Sequence, residues 1–228
     1  MKLKKLNYIL FNVIVVILFF VIVEISIVFL LSKPAYIPSS LISIFREYYM
    51  FHDREFIQYK TETAVYDSTL YYKLKPGHFR FSSREFDTDF DVNKLGVRDD
   101  EESLDCPFAI LLGDSHAMGW GVEQDHTFAS IIETELKFSL LNAAVSSYGT
   151  AREFKLLDQL NTRCLQYLIV QYCPNDYEEN KSFSENNNQL RISSRESYDD
   201  ICLAHAKSSR YYPFKHLVEL SSIAGSRI

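Results

Sequence analysis

The sequence predicts a three-layer α/β domain with a parallel sheet, preceded by one transmembrane helix and a short β-containing region. Three observations lead to this fold class. An apolar run extends from Tyr8 to Leu31, and an aromatic-rich stretch with strand-like alternation follows it up to about Glu102. From Cys106 onward, short apolar runs alternate with amphipathic helical stretches, which is the pattern of β-α units in a parallel sheet.

The apolar run predicts a membrane anchor over residues 8–32. As a helix that rises about 1.5 Å per residue, it is long enough to cross a bilayer core. Lys2, Lys4 and Lys5 precede it, and positive charge before a first apolar helix favours a cytoplasmic N-terminus. We therefore expect residues 1–7 in the cytoplasm, a single-pass anchor in the membrane, and the main domain outside it, periplasmic or extracellular.

Residues 33–104 form the predicted extracytoplasmic linker and β-containing region. From Glu85 to Val92, three aspartates alternate with apolar residues and a threonine, which predicts a half-buried strand. A second strand is predicted over 66–74, followed by a turn at Pro76 and Gly77. The aspartates could form a cation site, but a solvated strand face explains them without a metal.

Residues 105–228 contain the predicted parallel sheet. Strands are expected over 107–112, 139–145 and 165–172, with helices over 127–137 and 150–160 between them. Asp125 is a candidate cap of the first helix, whose apolar residues share one face. Polar residues from Glu178 to Asn188 predict a solvated loop, and a short amphipathic helix is expected from about Pro213 to Ile223.

The ends of the three predicted strands carry the residues with chemical potential. The first strand runs into Gly113-Asp114-Ser115-His116, the second ends in the segment from Asn142 to Gly149, and the third ends in Asn175-Asp176. The carboxyl ends of parallel strands meet at one edge of a sheet. A hydroxyl, a small-residue loop with backbone N–H groups and an amide would therefore converge there, as a nucleophile and donors for an oxyanion.

These motifs, together with Asn93-Lys-Leu-Gly96-Val-Arg98-Asp99, resemble the SGNH/GDSL hydrolase superfamily, in particular its membrane-anchored members, from about Tyr66 to Asn180. The resemblance implies a flavodoxin-like sheet and a serine ester hydrolase that works through an acyl-enzyme. It implies Ser115 as nucleophile and Asn175 as an oxyanion donor. Ser147 stands where the family has a glycine with a donating backbone N–H, and Asp114 and Gly149 belong to the motifs. The implied substrates are O-acyl groups of envelope glycans or lipids.

The sequence departs from the family in lacking the Asp-x-x-His motif, which supplies the general base and the carboxylate that orients it. We therefore expect a domain that is incomplete at its C-terminus, with an unknown base. His116 adjoins Ser115 but its side chain should diverge. Asp200 and His205 are five residues apart and follow Asn175 too closely to leave room for the remaining strands, and His126 and His216 have no carboxylate at a recognisable spacing. Two other functions stay open, an O-acyltransferase of an extracytoplasmic polysaccharide and a non-catalytic glycan-binding or assembly protein with a partner protein that covers the incomplete sheet.

Charge and cysteine spacing limit the remaining partners and cofactors. The formal net charge of -6 offers no basic surface for phosphate backbones, so no nucleic-acid partner is expected. No Cys-x-x-Cys pair occurs, and neither zinc nor any other cofactor is predicted. If the winding is flavodoxin-like, the Cys106 and Cys164 strands are neighbours, which predicts a disulfide, with two free thiols as the alternative.

Two single residues also have open interpretations. Glu24 lies inside the apolar run, where it could face a partner helix or be neutralised by local groups. Trp120 could line an acyl or sugar pocket, or serve only in packing.

Overall fold

The computed structural model describes residues 2–227, with side chains from Asn7 onward; Met1 and Ile228, the first and last residues of the predicted domains, lie outside the described residues. The chain forms two compact units. The first unit combines the residues up to Arg54 with those from Lys207 onward, and the second extends from Glu55 to Ala206.

The secondary structure is mixed α/β. The helices are α1 (Lys2–Ser32), α2 (Ile42–Tyr48), α3 (Ser115–Met118), α4 (Phe128–Leu136), α5 (Thr150–Leu157), α6 (Asp176–Glu185), α7 (Arg195–Ser209) and α8 (Lys215–Gly225). The strands are β1 (Ala64–Asp67), β2 (Tyr71–Leu74), β3 (Gly77–Ser82), β4 (Asp87–Val92), β5 (Ala109–Leu112), β6 (Leu140–Asn142) and β7 (Tyr167–Val170).

The first unit is built around the long apolar helix α1. Its segment Asn7–Ser32 is long and apolar enough to span a membrane or to act as a signal anchor. Helices α2 and α8 pack beside the end of α1 around a small core of Leu31, Phe45, Tyr48, Leu220 and Ile223. The predicted C-terminal helix is confirmed, two residues later than expected at each end.

Glu24 is buried in the first unit by the N-terminus of α8. Its Oε1 lies 2.7 Å from Nδ1 of His216, and the carboxylate accepts the backbone N–H groups of His216 and Leu217. Acidic groups stabilise a helix N-terminus because the first N–H groups have no partner within the helix. The polar residue in the apolar run therefore contacts a helix of its own chain.

Two antiparallel hairpins begin the second unit. The predicted strand over 66–74 is wrong as a single strand, because Oδ1 of Asp67 accepts the N–H groups of Thr69 and Leu70 and turns the chain between β1 and β2. The alternation predicted for β4 is confirmed, since Thr88, Phe90 and Val92 are all buried.

The aspartates of β4 are paired with basic side chains on the exposed face of the second hairpin. Arg80 binds Asp87 at 2.9 Å and Asp89 at 3.1 Å, and His78 lies 2.9 Å from Asp91. These contacts account for the acidic alternation without a metal.

The three remaining strands form a parallel sheet in the order β6-β5-β7. All side chains of the central strand β5 are fully buried, whereas those of the edge strand β7 are exposed or half-buried. The predicted disulfide is confirmed: Cys106 and Cys164, at the amino ends of β5 and β7, are bonded, with their Cα atoms 5.0 Å apart.

The hairpins and the parallel sheet share one hydrophobic core. Leu74, Phe81 and Phe90 from the hairpins belong to the same cluster as Ile110 and Leu111 of β5. The domain boundary predicted between residues 104 and 105 therefore falls inside the second unit. Trp120 packs against Phe81 and Phe86, with ring centroids 5.2 and 5.0 Å away.

Several helical predictions need correction. The cap of α4 is Thr127, whose Oγ1 accepts the N–H of Ser130, and not Asp125. The predicted apolar face of α4 is largely exposed, because only Ala129 of this helix is buried.

The loop predicted over 178–188 is mostly helix α6. Acidic residues in its first turn, Asp176, Glu178 and Glu179, complement the positive end of the helix dipole. Helix α7 was not predicted either, and it contributes Tyr198 and Cys202 to the core.

Candidate active site

Ser115 is the first residue of α3 and directly follows the turn of Gly113 and Asp114 at the carboxyl end of the central strand β5. Asp114 caps α3, since its Oδ1 accepts the backbone N–H of His116 at 2.9 Å. A Cβ at Gly113 would stand 2.5 Å from the Ala117 Cβ, so only glycine allows this close approach. Ser115 is partly exposed, and its backbone N–H donates to no protein acceptor among residues 2–227.

Arg98 is fully buried and forms hydrogen bonds with the backbone of the segment that follows α3. Its Nη1 donates to the carbonyl of Gly119 at 2.6 Å, and its Nη2 donates to the carbonyls of Val122 and Asp89, each at 2.8 Å. The guanidinium lies 3.8 Å from the ring centroid of Phe90. Burial lowers the pKa of Arg98 to about 10, so the side chain remains charged at neutral pH.

The loop after β6 has a left-handed residue at the position where the resemblance expected glycine. Ser147 has a φ of 63°, and its backbone N–H has no acceptor in the described part of the chain. A side chain in this conformation costs roughly 1–2 kcal/mol, so the neighbouring contacts must hold it. The Tyr72 hydroxyl donates to the Ser146 carbonyl, the Tyr148 hydroxyl donates to the Tyr72 carbonyl, and Gln58 donates to the Ser147 hydroxyl.

The loop after β7 places Asn175 immediately before α6. Asn175 itself is exposed, whereas the next residue, Asp176, is fully buried. Oδ2 of Asp176 accepts the Cys173 N–H at 3.2 Å and the Thr150 hydroxyl at 3.1 Å. These bonds connect the third loop to the start of α5, which Gly149 precedes.

All three loops leave the same edge of the sheet, because β5, β6 and β7 are parallel. The first and third loops are in close proximity there: a carboxylate oxygen of Asp114, a ring nitrogen of His116 and Sγ of Cys173 all lie within 4.8 Å of one another. In the sequence, Ser115 lies between Asp114 and His116, and one proline separates Cys173 from Asn175.

No general base is in place for Ser115. In the described part of the chain, no histidine ring forms a hydrogen bond with its hydroxyl. Nε2 of His205 lies 3.3 Å from Oε2 of Glu55 on another part of the second unit, and His126 is exposed. Nδ1 of His216 lies 2.7 Å from Oε1 of Glu24.

Sequence reasoning missed a buried carboxyl near this edge. Glu153 of α5 is fully buried, and neither of its carboxylate oxygens has a hydrogen-bond partner in the described structure. Burial, and after it the charges of Asp176 and Asp114, raise its pKa to about 8, so Glu153 is protonated at neutral pH. The sequence did contain an indication of this burial, because Glu153 shares a helix face with Leu156 and Leu160.

Two cavities in the second unit lie away from Ser115 and Asn175. The larger, of about 470 Å³, is lined by Phe154 and other residues of α5 and by residues further along the chain, including Leu190. The smaller, of about 210 Å³, is lined mainly by polar and acidic side chains, among them Asp99. Burial raises the pKa of Asp99 to about 7. Neither cavity is lined by the predicted catalytic residues.

The comparisons with known proteins add no relative. No protein-family model matches this chain, and no curated protein sequence matches it. What this edge of the sheet does must therefore be inferred from its own residues and their geometry.

Proposed function

We propose that the chain carries an SGNH/GDSL-like ester hydrolase domain of flavodoxin-like winding, anchored outside a membrane by α1, with Ser115 at the nucleophile position. The observation that carries the proposal is the left-handed backbone of Ser147. Glycine adopts this left-handed conformation most easily. Ser147 therefore keeps the backbone conformation of a glycine, in the loop from which the family donates an N–H to the oxyanion. The strand order β6-β5-β7 agrees with the proposed winding.

In the proposed reaction, the Ser115 hydroxyl attacks the carbonyl carbon of an ester, releases its proton to water and forms a tetrahedral intermediate, and the departing alkoxide takes a proton from water. The free backbone N–H groups of Ser115 and Ser147 and the amide of Asn175 would donate to the oxyanion. Loss of the alcohol leaves an acyl-enzyme, and water then releases the acid. By location and by resemblance, the proposed substrates are O-acyl groups of envelope glycans or lipids.

The described residues place free N–H groups at the proposed oxyanion positions but no base in contact with the Ser115 hydroxyl. Neutral serine is a weak nucleophile, and a positioned base contributes about 10²-fold to 10⁴-fold to the rate. We therefore expect the isolated chain to be a very slow esterase.

A non-catalytic role as a glycan-binding or assembly protein is the second candidate. The exposed side chains of β7 favour it: Tyr167 is 60% exposed and Val170 is 39% exposed at an edge of the sheet. An edge strand with exposed apolar residues can pair with another chain.

Hydrolysis of a fluorogenic ester by the purified full chain in detergent tests the proposal. We expect a slow rate that falls to the buffer background in Ser115→Ala. Ser147→Gly should raise the rate, because it relieves the left-handed strain and widens the site. Ser139→Ala, at an exposed serine before β6, serves as the matched control. Equal rates for the unchanged chain and Ser115→Ala would refute the hydrolase and favour the binding role.

A further inference from the structure

The strand-end edge that carries Ser115 also brings together three side chains that the hydrolase proposal does not use. A carboxylate oxygen of Asp114, a ring nitrogen of His116 and Sγ of Cys173 lie within 4.8 Å of one another. They come from the loops after β5 and β7, so their distant positions in the sequence concealed the cluster. Cys173 is not in a disulfide, whereas Cys106 and Cys164 are bonded to each other.

These three side chains are of the types that bind zinc. Zinc binds thiolate, imidazole and carboxylate in tetrahedral geometry, at about 2.3, 2.0 and 2.1 Å respectively, and many zinc sites have three protein ligands and one open position. Calcium and magnesium prefer oxygen ligands, whereas the thiol offers sulfur and the imidazole offers nitrogen.

The cluster needs only a small contraction to fit the metal. Ligand atoms on one tetrahedral zinc are separated by roughly 3.5 Å, as follows from those bond lengths. The His116 side chain is exposed, so its ring can rotate toward the other two ligands.

Gln171 forms hydrogen bonds with both loops. Its Nε2 donates to Sγ of Cys173 at 3.0 Å, and its Oε1 accepts the backbone N–H of Asp114 at 3.2 Å. Asp114 in turn fixes the backbone of His116 through the cap bond of 2.9 Å. Such outer contacts orient metal ligands, and their loss typically weakens binding about 10-fold to 100-fold.

We propose that Asp114, His116 and Cys173 bind one Zn²⁺ ion, with the fourth position open to solvent or to a ligand. This site goes beyond the hydrolase proposal and does not depend on it. Zinc here would lie beside Ser115, since two of the three ligands are its neighbours in the sequence.

Zinc titration of the full chain in detergent, after treatment with a chelator, tests the site. Equilibrium dialysis should give one Zn²⁺ per chain, and a chromophoric chelator should report the affinity. Cys173→Ser and His116→Ala should each weaken binding at least about tenfold, and Gln171→Ala should weaken it by about 10-fold to 100-fold. Cobalt substitution should give a thiolate charge-transfer band that disappears in Cys173→Ser.

Matched controls separate this site from other thiols and imidazoles. Cys202→Ser, at a buried free thiol on α7, and His126→Ala, at an exposed histidine, should bind zinc as the unchanged chain does. Trp120 fluorescence verifies that each variant is folded. Ser115→Ala should also keep its zinc, so failure of the esterase would leave this proposal intact. No zinc binding, or binding unchanged in folded Cys173→Ser and His116→Ala, would overturn it.

Discussion

Nη1 of Arg98 donates to the carbonyl of Gly119 at 2.6 Å, and this bond links the segment before the sheet to the turn that ends the helix of Ser115. Gly119 has a φ of 88°, and a Cβ there would stand 2.5 Å from the Thr127 side chain. The resemblance singled out Arg98 as part of a sequence motif. Its position explains the motif physically, since one buried guanidinium holds the backbone behind the candidate nucleophile.

Replacement of Arg98 by methionine should lower the free energy of unfolding by about 3 kcal/mol. The change leaves the buried carbonyl of Gly119 and the partly buried carbonyls of Asp89 and Val122 without this donor. A buried unsatisfied group costs about 1–3 kcal/mol, partly offset here by removal of a buried charge. Trp120, the only tryptophan, lies beside this segment, so its fluorescence during urea unfolding measures the loss.

Arg80→Met is the matched control for Arg98→Met. Arg80 forms exposed ion pairs with Asp87 and Asp89, and exposed pairs contribute only about 0–1 kcal/mol. A loss in Arg98→Met no larger than that in Arg80→Met would contradict the role assigned to the buried guanidinium.

The contact between Glu24 and α8 should hold the C-terminal helix in place within the first unit. Glu24→Gln keeps the shape of the side chain but weakens its bonds to His216 and to the helix N-terminus, because charged acceptors bond more strongly than neutral ones. We expect hydrogen exchange over 215–225 to become several-fold faster. Ser26→Ala, on an exposed position of α1, should leave that exchange unchanged. Equal exchange in both variants would show that the carboxylate does not hold α8.

Glu153 should make the second unit less stable as the pH rises. Its pKa is raised from 4.5 to about 8 in the folded chain, so the folded state binds the proton more tightly than the unfolded state. Its favourable contribution is complete below about pH 4.5 and is lost as the pH approaches 8, at up to about 1.4 kcal/mol per pH unit. Asp99, with a pKa raised to about 7, changes stability in the same direction.

Glu153→Gln isolates the effect of Glu153. The variant should match the unchanged chain near pH 4, where Glu153 is largely protonated in both the folded and the unfolded state, and should exceed it in unfolding free energy at pH 8. Glu135→Gln, at an exposed glutamate of α4, should show no such pH-dependent difference in unfolding free energy. A stability difference that does not change with pH would mean that burial does not raise the pKa of Glu153.

The sequence predicted the elements whose pattern is local. The alternation of β4 and the apolar run of β5 follow from residue spacing. The pairing of Cys106 with Cys164 is not local and followed instead from the strand order that the resemblance implies. Helix α6 was missed because its residues are polar on nearly every side, so no apolar periodicity marks it. Its acidic first turn was the available indication.

The site residues that sequence reasoning missed depend on tertiary contacts. Glu153 looks like an ordinary helix residue until α5 packs onto the sheet and buries it. Cys173 and His116 meet only because β5 and β7 are neighbours. The burial of Glu24 requires a helix that begins near the other end of the chain. None of these contacts produces a pattern within a short window of sequence.

The chain alone should hydrolyse aryl acetates far more slowly than about 1 s⁻¹, which is the lower end of ordinary enzyme turnover. No base within residues 2–227 is in hydrogen-bond contact with Ser115, while the proposed oxyanion donors remain. Such donors preserve about 10³-fold to 10⁴-fold acceleration over water in serine proteases that lack their triad. Imidazole added to the buffer should therefore raise the rate in a manner that depends on Ser115, because it can take the proton that no side chain accepts. In Ser115→Ala, only the direct reaction of imidazole with the ester should remain. Turnover of about 1 s⁻¹ or more without imidazole, abolished by Ser115→Ala, would mean that the chain contains a base which approaches Ser115 when substrate binds.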